Sequence, residues 1–327
     1  VQAVAHQECQ RRAQVGAEQE VGEEERERDV RAGHACLLTD QDHGQIRGGR
    51  KKGRDRRLDG LHDHEEGEHG DPHTGPGNPD QVTAIEDVEG APNLGNARGL
   101  WGGLVINGNA PINDCPEGAE GGTVDCTKEG EANSGLFGGA DSGDSSGSLK
   151  YLVVKHAGSN VDPENQLNGI AFQGVGSGTE VDYVQVHNNL DDGIEFFGGT
   201  VSAKHVVLSG NADDSLDWTD GWQGSIQYLH IVQGDDSADN GIVADNREGD
   251  ENAMPRSNPS IANMTIDGNS GERGIRLRRG TGADIWNTVV TGSATCIDVD
   301  GDTSVGLLGT DTVSYTHLDA ADDDRIV

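Results

Sequence analysis

The feature that most constrains this chain is a repeat. A short β-rich run recurs as Tyr151–Val154, Val181–Val186, Lys204–Leu208, Ile226–Ile231, Ile261–Ile266 and Ile285–Val290, each followed within a few residues by Gly, Asn or Asp. A second run follows each of them: Gly169-Ile-Ala-Phe, Gly193-Ile-Glu-Phe, Ser215-Leu-Asp-Trp, Gly241-Ile-Val-Ala, Gly274-Ile-Arg-Leu and Cys296-Ile-Asp-Val. The apolar residue after the small one falls at 170, 194, 216, 242, 275 and 297, giving spacings of 24, 22, 26, 33 and 22. A propeller blade needs roughly 40–45 residues, and a leucine-rich repeat needs Leu-x-x-Leu-x-Leu with an Asn ladder, which the runs do not show. Two or three short strands per turn of this length fit an all-β, right-handed parallel β-helix, a solenoid in which each coil buries its inward residues against its neighbours. Alternation within the strands puts Ile170/Phe172, Ile194/Phe196, Leu216/Trp218, Ile242/Ala244, Ile275/Leu277 and Ile297/Val299 inside. The segment Arg247–Ser260, which stretches one repeat, has to loop outward.

The repeats occupy only part of the chain, and composition marks where they start. All twelve aromatic residues lie after residue 80, whereas residues 1–80 hold 12 of the 24 Lys/Arg, 7 of the 12 His and only ten Val, Ile, Leu or Met. Such a segment has too little apolar surface to offset the entropy of ordering it, so it is expected to be disordered or a non-native, out-of-frame stretch. Its His62, His64, His69 and His73, mixed with acids, form a polar tract with at most loose affinity for zinc or nickel. The expected organisation is thus 1–80 disordered, 81–312 β-helix, and 313–327 a disordered, artefactual tail.

The net charge of −34 argues against nucleic acid or an anionic membrane as partner and favours cations. No apolar run approaches the ~18 residues of a membrane span. Cys115 and Cys126 bracket a polar loop and are expected to close it as a disulfide, which implies a periplasmic or extracellular location. Cys296 takes an inward small-residue position, and no Cys-x-x-Cys suggests zinc.

Stacked coils place equivalent residues about 4.8 Å apart, so repeated acids form ladders. One turn column reads Asp191, Asp213, Asp239, Glu272, and the next Asp192, Asp214, Asn240, Arg273. Such ladders need neutralising, and calcium, which takes six to eight oxygens, is the expected cofactor. The alternative is that turn aspartates cap backbone and face water. No nonapeptide repeat or EF-hand loop is present.

On the second strand an outward column runs Glu195, Asp217, Val243, Arg276, Asp298, and two residues on another runs Phe197, Thr219, Asp245, Arg278, Asp300. Glu195, Asp217 and Asp245 are candidate calcium ligands, while Arg276 or Arg278 would serve as base or carboxylate partner in a lyase. A row of cross-coil salt bridges would read the same way. Phe197 and Trp222, with Asp217, are candidate ligand-binding residues for sugar rings, unless a loop covers them. His156, His187, His205 and His230 share no single column.

The run Gly99–Asn113, with Asp191-Asp-Gly-Ile-Glu-Phe-Phe197 and Asp217-Trp-Thr-Asp-Gly-Trp-Gln223, resembles a family of secreted bacterial β-helix proteins, many of them lipoproteins or surface-exported. The resemblance covers about residues 93–312 and implies the fold of the pectin-lyase-like superfamily, which includes polysaccharide lyases, hydrolases, adhesins and phage tailspikes. It does not choose among them. The reading is therefore a secreted, periplasmic or surface protein that binds extracellular carbohydrate or a surface partner, calcium-stabilised and non-catalytic. The alternatives are a calcium-dependent lyase or hydrolase acting on acidic glycans, and a structural or adhesin segment.

Overall fold

The computed structural model describes residues 80–91, 94–162, 165–236, 238–268, 272–308 and, as backbone, 313–320. The histidine tract, Cys9, Cys36 and all but the last residue of the expected disordered segment lie outside these residues.

The described strands form two parallel sheets that share one stack of coils. The first sheet has eight strands: Asp80–Val82, Ser148–Lys155, Glu180–His187, Ser202–Ser209, Ser225–Val232, Ser260–Asp267, Ala283–Thr291 and Val313–Ala320. The second has seven: Leu104–Asn107, Ile170–Gln173, Ile194–Phe197, Leu216–Thr219, Asn240–Ala244, Arg273–Leu277 and Thr295–Val299. Each coil supplies one strand to each sheet, and this is the parallel β-helix expected from the repeat. The first sheet runs beyond residue 312, because Val313–Ala320 adds to the strand Ala283–Thr291.

Register is strict on the second sheet, where Ile170, Ile194, Leu216, Ile242, Ile275 and Ile297 are successive partners. All the expected inward residues of this sheet are buried except Ile297, which is half-buried. Phe172 stacks on Phe196 at 5.0 Å, and Phe196 stacks on Trp222 at 4.0 Å.

The first sheet departs from simple alternation. Tyr151, Tyr183, His205, Tyr228, Asn263 and Asn287 all have φ between 48° and 63°, a left-handed conformation that non-glycine residues seldom adopt. Each inserts an extra residue, so the strand Glu180–His187 turns Val181, Val184 and Val186 inward rather than every second residue. The displaced rings stack outside the coil, Tyr151 on Tyr183 at 4.9 Å, Tyr183 on His205 at 4.2 Å and His205 on Tyr228 at 4.9 Å. The Asn287 amide then donates to Asn263 Oδ1 at 2.6 Å. Stacking across coils offsets the local backbone cost.

A short buried asparagine ladder does occur at the turn, since the Asn189 N–H donates to Asn211 Oδ1 at 3.1 Å.

In denaturant unfolding, Phe196→Ala is expected to cost about 3–5 kcal/mol. Phe197→Ala, one residue on and only half-buried, should cost less. Equal losses would contradict the inward assignment.

Candidate functional site

Two excursions leave the stack on the outer side of the second sheet and meet there. One holds the bonded pair Cys115–Cys126, and the other is the insertion after Asn246. They approach so closely that a Cβ on Gly121 would sit 1.8 Å from the Met254 carbonyl oxygen, so only glycine fits. Asn113 Nδ2 joins them, donating to Asn246 Oδ1 at 2.9 Å and to the Pro255 carbonyl at 3.0 Å.

Beneath them lies a cleft of about 430 Å³ lined by Asp114, Lys128, Glu195, Asp217, Thr219, Asp220, Asp245, Arg247, Glu248, Arg278 and Arg279. The sheet supplies its floor. Glu195 and Asp217 are register partners on adjacent coils, and Asp217 pairs with Val243 on the next. The excursions supply its rim and its cations.

Those cations are all engaged by carboxylates. Lys128 Nζ sits 2.6 Å from Asp114 and 3.0 Å from Asp220, and Arg247 reaches Asp114 at 2.7 Å. Burial opposes the Lys128 charge, but Asp220 and Asp114 prevail and hold the ammonium above its usual range. Asp245 is clamped by Arg278 Nε at 2.7 Å and Arg279 Nη1 at 2.5 Å.

Glu195 and Asp217 are in a different state. Glu195 accepts one hydrogen bond from Asn168 Nδ2 at 2.7 Å, and the same amide reaches Glu131 at 3.3 Å. Asp217 Oδ1 is sealed from solvent without a hydrogen-bond partner among the described residues. Burial, followed by Asp217 and Glu131, drives the Glu195 carboxyl well above its usual range. Burial, with Asp214 and Asp245, does the same to Asp217 against the pull of Arg278. Glu131 is pushed up to about 7 by burial and by Asp191.

Beside the cleft runs the turn ladder. Asp192 Oδ1 accepts the Asp214 N–H at 2.9 Å, and Asp214 Oδ1 accepts both the N–H and Nδ2 of Asn240 at 2.9 Å. The inner aspartates thus cap the backbone of the next coil. Asp191, Asp192 and Asp213 each bring an oxygen within 4.8 Å of the others, as do Asp213, Asp214 and Asp239, and either group could hold a metal ion.

Of the residues expected at a site, Glu195, Asp217, Asp245 and Arg278 come together in the cleft, and Asp191, Asp213 and Asp239 line the ladder. Four of the expected residues have surroundings that the sequence did not suggest. Trp222 is fully buried: it packs on Phe196 and its Nε1 donates to the Val201 carbonyl at 3.1 Å, so it offers no sugar platform. Phe197 does point away from the coil, but the disulfide-bonded excursion covers it, with Phe137 edge-on at 6.4 Å and Ile112 and Cys126 in the same cluster. Arg276 does not line the cleft, because it bridges to Asp300 at 2.7 Å and Asp298 at 3.9 Å along its own face. Asp245, read as a calcium ligand, pairs with Arg278 through one oxygen and with Arg279 through the other.

Lys128, Asp114, Glu131 and Asn168 escaped the sequence reading. Only their position beside the bracketing cysteines could have pointed to Asp114 and Lys128.

A stack of parallel coils with a roofed, carboxylate-floored cleft defines a parallel β-helix protein. The chain belongs to the family described as the pectate-lyase-like β-helix domain, whose model matches residues 90–324. Searches among curated proteins and among solved structures give no match. Among the described residues no helix is long and apolar enough to cross a membrane.

A carboxyl that titrates higher in the folded chain holds its proton more tightly when folded. The Glu131 contribution to stability is complete below its ordinary value of 4.5 and is lost as pH rises through about 7. In EDTA, the protein should therefore melt lower at pH 8 than at pH 5, and Glu131→Gln should flatten that fall around pH 7. Thermal melts across this range check it.

Proposed function

We propose that the protein is a secreted or cell-surface module that binds an extracellular polysaccharide in the cleft over Glu195 and Asp217. The observation that carries this reading is the lining itself, six acids and four bases around one hollow on the sheet face. Two of the acids, Glu195 and Asp217, have raised carboxyls that can donate to or accept from hydroxyl groups. All four bases already serve carboxylates, which leaves no spare guanidinium for a uronate and favours a neutral glycan. With Trp222 inside and Phe197 covered, recognition runs through hydrogen bonds rather than ring stacking. Calcium is the cation of this reading, being the hard divalent ion suited to oxygen-only clusters.

Hydrolysis is the second reading, and one observation favours it. Glu195 and Asp217 face the cleft side by side with raised carboxyls, the condition a general acid needs near neutral pH. The lyase alternative has less support, since its candidate arginines are committed to Asp298, Asp300 and Asp245.

The test uses the full chain, calcium, and a panel of neutral and acidic polysaccharides, with affinity measured by calorimetry and turnover by new reducing ends and unsaturated uronide absorbance. Saturable binding to a neutral glycan is expected, weakened roughly 10- to 100-fold by Glu195→Gln or Asp217→Asn, as for a lost hydrogen bond to a charged or acidic group. New reducing ends that vanish in these variants would establish hydrolysis. Binding unaffected by either substitution would remove the cleft from consideration.

A further inference from the structure

We propose that Ser209 and His187 form a second site, on the outer face of the first sheet, that hydrolyses short-chain carboxylic esters, with Ser209 as nucleophile, His187 as its base and the Gln185 amide as oxyanion donor. The site shares no residue with the cleft on the second sheet.

Strand alternation and register bring the group together. In the strand Glu180–His187, Val184 and Val186 face the core, so Gln185 and His187 face out. Ser209 is the register partner of His187 one coil on, and Lys155 is its partner one coil before. With Gln81 and Val153 these residues line a hollow of about 350 Å³. None of the six is acidic, although the whole chain carries a net charge of −34. Lys155 is the cation of the lining. Its Nζ lies 2.7 Å from Asp87, and an ammonium has three N–H groups to offer.

His187 Nδ1 lies 2.9 Å from Ser209 Oγ, the separation that a nucleophile and its base require. Gln185 Nε2 donates to the same Oγ at 3.4 Å. An amide N–H can only donate, so Oγ accepts from Gln185 and its own proton is left for His187. The second N–H of that amide puts a donor beside the carbon that Oγ attacks. His156 backs the imidazole: it is 3% exposed, meets the His187 ring edge-on at 6.3 Å, and is itself held with Nδ1 2.6 Å from the Ala97 carbonyl. Its backbone N–H also donates to the His187 carbonyl at 3.1 Å. Burial, then His156 and Lys155, holds His187 below its ordinary range, so the ring is neutral and able to take a proton at neutral pH.

The chemistry follows from these contacts. Ser209 Oγ attacks the ester carbonyl as its proton passes to His187 Nδ1, and Gln185 donates to the oxyanion. Collapse expels the alcohol, which takes the proton from His187, and leaves an acyl ester on Ser209. A water deprotonated by His187 then releases the carboxylic acid and restores the hydroxyl. A hollow near the lower end of the roughly 300–1,000 Å³ of ligand cavities, with Val153 as its apolar wall, suits an acetyl group better than a long chain.

The test treats the full chain with a fluorophosphonate probe, maps the adduct by peptide mass spectrometry, and follows hydrolysis of 4-nitrophenyl acetate and 4-nitrophenyl palmitate. The wild-type adduct should lie on Ser209, and the acetate should be the better substrate. Ser209→Ala should lose the adduct and lower kcat/KM for the acetate about 100-fold or more, and His187→Gln should slow adduct formation to a similar degree. Labelling of wild type decides the matter even if a variant fails to fold. The proposal is overturned if the probe leaves Ser209 unmodified, if His187→Gln is labelled as fast as wild type, or if Ser209→Ala retains the hydrolysis.

Discussion

The parallel register of the coils is the constraint on which the rest of this structure depends, because it places every residue about 4.8 Å above its counterpart one turn earlier. Inside the stack that proximity is favourable. Ile170, Ile194, Leu216, Ile242 and Ile275 pile into one dry column, and Phe172 and Phe196 stack nearly parallel, at 10°. Outside, the same proximity makes any repeated charge repel itself. The chain meets this in several ways: Val243 ends the acidic run of Glu195 and Asp217, Arg276 bridges to Asp300, and Asp192 and Asp214 accept backbone N–H groups from the following coil. Where none of these suffices, burial and neighbouring charge raise the carboxyl well above its usual range, as at Glu195 beside Asp217.

A flat sheet face cannot enclose a ligand. The cleft exists because two segments of irregular length depart from the repeat on the same face and are fastened to each other. The Cys115–Cys126 bridge limits the freedom of one, Asn113 links it to the other, and Gly121 allows the backbones to meet. The floor is repeat sequence and the roof is exception, so the geometry of the site is set by the departures from periodicity.

The repeat made the coil interior legible. Every inward residue named for the second sheet comes from a simple period-two pattern, and these strands obey it. The first sheet resists such reading because its extra left-handed residue shifts parity inside each strand. Tyr151, Tyr183, His205 and Tyr228 look like ordinary strand residues in sequence, yet their left-handed backbone turns them outside, where their rings stack across coils. Trp222 shows the converse failure: it follows the end of its strand, where parity no longer applies, and a corner of the core takes it in.

The sequence by itself determined the coil, its period, the inward faces and the columns of acids and arginines, since each of these is a local pattern multiplied by stacking. Only the tertiary structure decided which charges are spent on one another. Asp245 is held by Arg278 and Arg279, Lys128 by Asp114 and Asp220, and Glu195 shares Asn168 with Glu131. Most of these pairings join segments that the repeat does not relate, and a side chain's charge state follows from burial and neighbours that no spacing along the chain encodes.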